Sequence, residues 1–145
     1  MNRYSLANHI LSIKPNDGGI STFGTIEVGG EGSYLDSVSI STPTNLWNTQ
    51  GFATGGWIHD KNLSRIGTVN ITLNQLSDQV KKFITMCENY YGGDYNGFTI
   101  TLSKNDGSKI ASCIDCYISK IPDQSYGQSS ANQTWTFTCG QITYN

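Results

Sequence analysis

Apolar and polar residues alternate with a period of two along most of this chain, and a different period appears once. From Ser77 to Tyr91 the apolar positions Val80, Phe83, Ile84, Cys87 and Tyr91 recur at spacings of three and four, which lines one face of a helix. Ser77 stands where an N-cap is needed, Asp78 falls in the first turn where the helix dipole favours negative charge, and Gly92-Gly93 is a stop. One helix in a chain of strands narrows the fold to a β architecture with a single helix laid against it.

The strand pattern runs on either side. Residues 5–13 place Ala7, His9, Leu11 and Ile13 on one face, against Asn8, Ile10 and Ser12 on the other. Pro15-Asn16-Asp17-Gly18-Gly19 is turn chemistry, a strand is expected at about 20–28, and Gly29-Gly30-Glu31-Gly32 turns again. Residues 33–42 alternate cleanly, with Val38 and Ile40 against Ser37, Ser39 and Ser41. Residues 65–74 point Val69, Ile71 and Leu73 inward and Thr68, Asn70, Thr72 and Asn74 outward. After the helix and a loop at 92–97, residues 98–104 set Phe98, Ile100 and Leu102 against Thr99, Thr101 and Ser103. Asn105-Asp106-Gly107 signals a hairpin into a strand at about 108–121. A polar loop, Pro122 to Gln133, precedes a last strand in which Trp135, Phe137 and Cys139 oppose Thr134, Thr136 and Thr138.

Thr42 to Gly56 breaks the alternation. Its prolines, glycines and asparagines predict a long extended loop at about 43–56, yet it carries Leu46, Trp47 and Phe52, with Trp57 just beyond. A loop this long is usually functional or disordered, and its aromatics argue against disorder. Leu46, Trp47, Phe52 and Trp57 are therefore candidates for contact with another subunit, since Trp is enriched at interface hot spots. A sugar-stacking platform and burial in the chain's own core are the other readings.

The chain has 145 residues, the size of one domain with a sizeable core. Charged residues are 14% of it, against roughly 25% in an average soluble domain, and Gly, Ser, Thr and Asn fill the difference. The outward strand faces hold few of the charges that normally keep sheets apart. Such faces suit packing against other subunits or lining a neutral polar channel. A net charge of −2 argues against a grip on nucleic acid by phosphate neutralisation. No stretch is long enough to span a membrane and residues 1–8 carry no apolar signal core, so the chain is expected to be made in a cytoplasm with Cys87, Cys113, Cys116 and Cys139 as free, mostly buried thiols.

Chemistry finds little support. Cys113-Ile114-Asp115-Cys116 has the C-x-x-C spacing but lies in a predicted strand, where a three-residue offset sends the side chains to opposite faces: one buried thiol and one semi-exposed. His9 falls in a strand and His59-Asp60-Lys61 reads as a solvated corner, and neither histidine sits in a metalloprotease or nucleophile-elbow motif. The glycine clusters lack the Lys-Ser/Thr of a phosphate loop. No catalytic residue, cofactor or metal is expected.

The order of elements, from the opening Tyr4-Ser5-Leu6 through Gly67-Thr68-Val69-Asn70-Ile71-Thr72-Leu73 into the helix at Ser77, then Lys120-Ile121-Pro122 and a closing Trp135-Thr136-Phe137-Thr138-Cys139-Gly140, resembles the tail tube proteins of contractile-tailed bacteriophages. These are related in fold to the tubes of type VI secretion and other contractile injection systems. The resemblance implies a mainly β fold, a β-sandwich or barrel with one flanking α-helix, as a single domain over residues 1–145. It implies hexameric rings that stack into an inner tail tube, a conduit for DNA in the virion tail. Partners would be further copies of itself, the tail sheath protein, baseplate and tail-terminator proteins, and DNA passing without specific binding. A long loop reaches the adjacent ring in such proteins, a role that would fall here on residues 43–56. Thr68, Asn70, Thr72, Thr99 and Thr101 are the candidates for the lumen face. Two alternatives stand beside it: another tail or injection-system component of the same fold, and a carbohydrate-binding β-sandwich using Trp47, Trp57 and Tyr95.

Overall fold

The period-two segments pair into one antiparallel sheet of seven strands. The computed structural model describes residues 9–15, 26–29, 35–91, 97–104 and 107–145. The expected strand starts at 5–8 and 20–25, the turns at 16–19 and 30–32, the helix stop at Gly92-Gly93, Tyr95 and the Asn105-Asp106 turn lie outside these residues. The strands are β1 (His9–Pro15), β2 (Ile26–Val28), β3 (Leu35–Ser41), β4 (Trp47–Gly51), β5 (Trp57–Lys61), β6 (Gly67–Asn74), β7 (Phe98–Lys104), β8 (Lys109–Lys120) and β9 (Asn132–Tyr144), with the helix α1 (Asp78–Tyr91) between β6 and β7. The large sheet has the order β2-β1-β7-β8-β9-β6-β3, and β4 and β5 form a separate pair. The result is the mainly β architecture with one helix that the pattern predicts, curled into a half-barrel.

Each strand of the large sheet sends alternate side chains to one apolar face. Leu11 and Ile13 of β1, Val69, Ile71 and Leu73 of β6, Phe98 and Ile100 of β7, and Trp135, Phe137 and Ile142 of β9 are all buried. The helix covers this face with Val80, Phe83, Met86 and Cys87. Phe83 lies at its centre, with ring centroids 5.4 Å from Trp135 and 5.6 Å from Phe137. Phe137 in turn meets Phe98 edge-on at 6.1 Å. Aromatic pairs in these tilted geometries are worth about 0.5–1.5 kcal/mol each beyond the area they bury.

The helix start is tied to the sheet by polar contacts. Ser77 occupies the N-cap position, but its hydroxyl donates to Gln79 Oε1 at 2.7 Å instead of accepting from the helix backbone. Gln79 Nε2 then donates to the backbone carbonyl of Glu27 on β2 at 2.9 Å. A three-residue edge strand is thereby anchored to the helix as well as to β1. At the start of β6, Gly67 permits close approach, because a Cβ there would collide with the Ser41 carbonyl oxygen and the Ile142 Cδ1.

Because one phenylalanine joins the helix to both β9 aromatics, Phe83→Ala should cost about 3–5 kcal/mol of unfolding free energy by urea titration. Thr85→Ala, on the solvent side of the helix, should stay within about 0.5 kcal/mol. Equal losses at the two positions would mean that this face does not hold the helix.

Candidate functional site

The segment expected to be an irregular loop is the first arm of a β-hairpin. β4 and β5 pair from Trp47↔Lys61 through Thr49↔His59 to Gly51↔Trp57. Phe52 N donates to Gly56 O and Gly55 N to Phe52 O, both at 3.0 Å, which closes the turn with Gly55 at φ 91°. At the base, Asn62 N donates to Leu46 O at 2.9 Å. His59, expected at a solvated corner, is instead a strand residue whose Nδ1 is hydrogen-bonded to Thr49 Oγ1 at 2.8 Å.

All ten strand residues of this hairpin are exposed, and none of its residues belongs to the hydrophobic core. Yet among the described residues seven of the twelve exposed large hydrophobic side chains fall between residues 46 and 66: Leu46, Trp47, Phe52, Trp57, Ile58, Leu63 and Ile66. Alternation puts Trp47 and Trp57 on the same face of the hairpin, four residue steps or about 13 Å apart, with the Thr49–His59 pair between them. Leu46 sits at the base and Phe52 in the turn. Ile58, Leu63 and Ile66 were not singled out from the sequence, although Ile58 follows Trp57 directly. A lone two-stranded hairpin is marginal in water, and the concentration of exposed apolar side chains makes this hairpin the candidate contact surface.

The second surface is the face of the large sheet opposite the helix. Thr68, Asn70 and Thr72 of β6 stand directly opposite Thr138, Thr136 and Thr134 of β9 on one side and Ser41, Ser39 and Ser37 of β3 on the other. The side chains bond to one another: Thr136 Oγ1 donates to Asn70 Oδ1 at 2.8 Å, Thr72 Oγ1 meets Thr134 Oγ1 at 3.0 Å, and Asn74 Nδ2 donates to Asn132 Oδ1 at 3.1 Å. Thr99 and Thr101 lie on the same face but on β7, separated from β6 by β8 and β9. The five candidates thus share a face without forming one cluster, and the threonines of β9 complete the ladder. Charges here are sparse, with Lys14, Glu27, Asp115 and Lys120 standing among hydroxyls and amides, and β8 adds the exposed Ile114 and Tyr117 opposite Gln141 and Thr138.

The cysteines correct one expectation. Cys113 and Cys116 are both buried, because β8 carries an extra residue relative to β7: the step from Cys113 to Cys116 matches only the step from Ile100 to Phe98. Asp115, at φ 55°, takes up the irregularity and stays outside. Cys139 on β9 lies directly opposite Cys116, with their sulfurs 2.9 Å apart. Burial and the neighbouring Glu88 push the Cys87 thiol up to about 11. The contact with Cys139, then burial, raises Cys113. For Cys139 the contact with Cys113 acts downward, but the contact with Cys116 and burial outweigh it and push the thiol up to about 12. These are protonated, weakly nucleophilic thiols at neutral pH. Among the described residues no cluster of His, Cys, Asp and Glu could hold a metal ion, and no helix is long and apolar enough to cross a membrane.

Comparison with known proteins gives one sequence family and a structural likeness. A family model described as the bacteriophage PhiTE tail tube protein matches residues 1–145. No curated protein matches by sequence. Among solved structures, the anti-feeding prophage cap, described as the AFP tube terminating cap, is similar in fold with a TM-score of 0.54. The match covers 100% of this chain and 93% of that one at 10% identity, a level that speaks of fold alone.

The split between exposed arm and buried core has an optical readout. Trp47 and Trp57 are 55% and 69% exposed, while Trp135 is fully buried. In the unassembled chain, acrylamide should quench most of the tryptophan emission. The Trp47→Phe/Trp57→Phe double variant should retain only a blue-shifted band that is several-fold less quenched. Equal quenching in both proteins would place the arm against the core.

Proposed function

The chain belongs to the bacteriophage PhiTE tail tube protein family, a structural component of the phage tail, and we propose that it is the subunit of the inner tube of a contractile tail. On this reading, copies close into hexameric rings, rings stack, and the lumen conducts DNA inside a sheath. The observation that carries the proposal is the uncovered hairpin with Leu46, Trp47, Phe52 and Trp57. A projecting arm with two tryptophans on one face and no place in its own core has the composition of an interface anchor. Each such Trp can be worth about 2 kcal/mol or more once desolvated in a pocket. Repetition around a ring multiplies the effect.

Two further features support ring closure and passage. The large sheet ends in β2 and β3, and joining these outer strands between neighbours would remove open edges that otherwise invite uncontrolled pairing. The ladder of Thr68, Asn70 and Thr72 with the threonines of β9, and Thr99 and Thr101 beyond it, is the proposed lumen wall. Asn70 and Thr136, and Thr72 and Thr134, are hydrogen-bonded to each other and the charges of this face are few, so it offers a passing polyanion little to hold. The helix face would then lie away from the lumen, toward the sheath, and baseplate and terminator proteins would meet the tube at its ends. Assembly would take place in the host cytoplasm.

A second reading, a tube-end component of the same fold, is favoured by the likeness to a tube-terminating cap. The family match favours the tail over a carbohydrate-binding module.

Negative-stain microscopy of the purified chain separates the tail readings: tubes that lengthen with concentration support the tube subunit, whereas single rings that never stack support the tube end. Leu46→Ser/Trp47→Ser should leave circular dichroism and melting nearly unchanged while tubes give way to single rings or free subunits. Normal tubes from that variant would sink the arm as the stacking device.

A further inference from the structure

The fold gathers three buried thiols, Cys113, Cys116 and Cys139, on one face of one strand pair. Cys116 and Cys139 are directly opposite across β8 and β9, and both point into the core. Opposed residues of an antiparallel pair have Cα atoms about 4.5–5.5 Å apart, inside the range that a disulfide bridges without backbone movement. Their sulfurs are 2.9 Å apart, so only a small side-chain rotation separates contact from bonding distance. Cys113 stands opposite Ile142, diagonal to Cys139 across the Asp115 irregularity, and its side chain contacts Cys139, so pairing these two needs some backbone movement. Cys87 is buried on the helix, and neither of its neighbours in that trio contacts it as a hydrogen-bond partner.

We propose that Cys139 is the hub of a latent intrachain disulfide, formed with Cys116 and exchangeable to Cys113, when the chain meets a two-electron thiol oxidant. Two S–H bonds break and one S–S bond forms. The two electrons and two protons pass to the oxidant, which for a diazene such as diamide is reduced to the hydrazine. The spare thiol can then attack the bond as thiolate, displace one sulfur as the leaving thiolate and take its place, with Cys139 retained in both pairings. The bond would staple β8 to β9 and close the loop that carries residues 117–138. The sulfurs are buried, and Cys113 and Cys139 are held protonated, so the reaction is slow and needs small oxidants or transient opening of the strand pair.

The test treats the full chain with excess diamide, then denatures it and counts free thiols. Wild-type protein should fall from four free thiols to two, with a peptide map joining Cys116 to Cys139 within one chain. Cys116→Ala should still lose two thiols, through Cys113 and Cys139. Cys87→Ala should behave as wild type. Cys139→Ala should lose none. Loss of two thiols in Cys139→Ala, a bond that joins two chains, or four surviving thiols in wild-type protein while a urea-unfolded control oxidises would each overturn the proposal. If Cys139→Ala does not fold, the wild-type peptide map alone decides.

Discussion

The contact of Phe83 with Trp135 and Phe137 is the constraint from which the other surfaces of this molecule follow. A sheet with one apolar face must cover that face, and among the described residues a single helix does so. The helix meets the sheet at the middle of β9, where both aromatics project, and Ser77 and Gln79 hold its start against β2. Once the helix is in place, the inward apolar positions of the large sheet are covered within the chain. What remains for other molecules is the polar face, the two edge strands and the hairpin, and these surfaces differ in chemistry as the proposed contacts differ.

The parts of the fold that were legible in the sequence are those whose burial is one-sided. β6 reads inward and outward without error because Val69, Ile71 and Leu73 face the core and Thr68, Asn70 and Thr72 do not. The helix appears within one residue of its predicted start for the same reason. The hairpin was illegible because neither of its faces is buried. Its strands form by pairing alone, so Asn48, Thr49 and Gln50 carry no alternation tied to a core and read as loop. The aromatic content still set the segment apart as a candidate for contact, since composition survives where periodicity fails. The C-x-x-C spacing misled for a related reason: a period of two cannot register an added residue, and only the Asp115 irregularity explains why both thiols turn inward.

The polar face and the arm resolve opposite problems with little charge. Lysines and glutamates on a strand face prevent unwanted association by repulsion, at the cost of attracting or repelling whatever passes. Here Asn70, Thr72, Thr134 and Thr136 bond across the strands, so part of their hydrogen-bonding capacity is used before any partner arrives. That ladder is hydrophilic, as the proposed lumen requires, while β8 adds Ile114 and Tyr117 to the same face. The arm is the reverse, adhesive and nearly uncharged, with Asp60 and Lys61 the charged residues of its strands. Keeping adhesion on a projecting hairpin and away from the sheet face separates the contacts that would build a tube from the surface that must stay slippery inside it. A mutation that added charge to the face or apolar bulk to the ladder would mix these roles. Low charge content is therefore the physical condition under which both surfaces, in the roles proposed for them, would work in one small subunit.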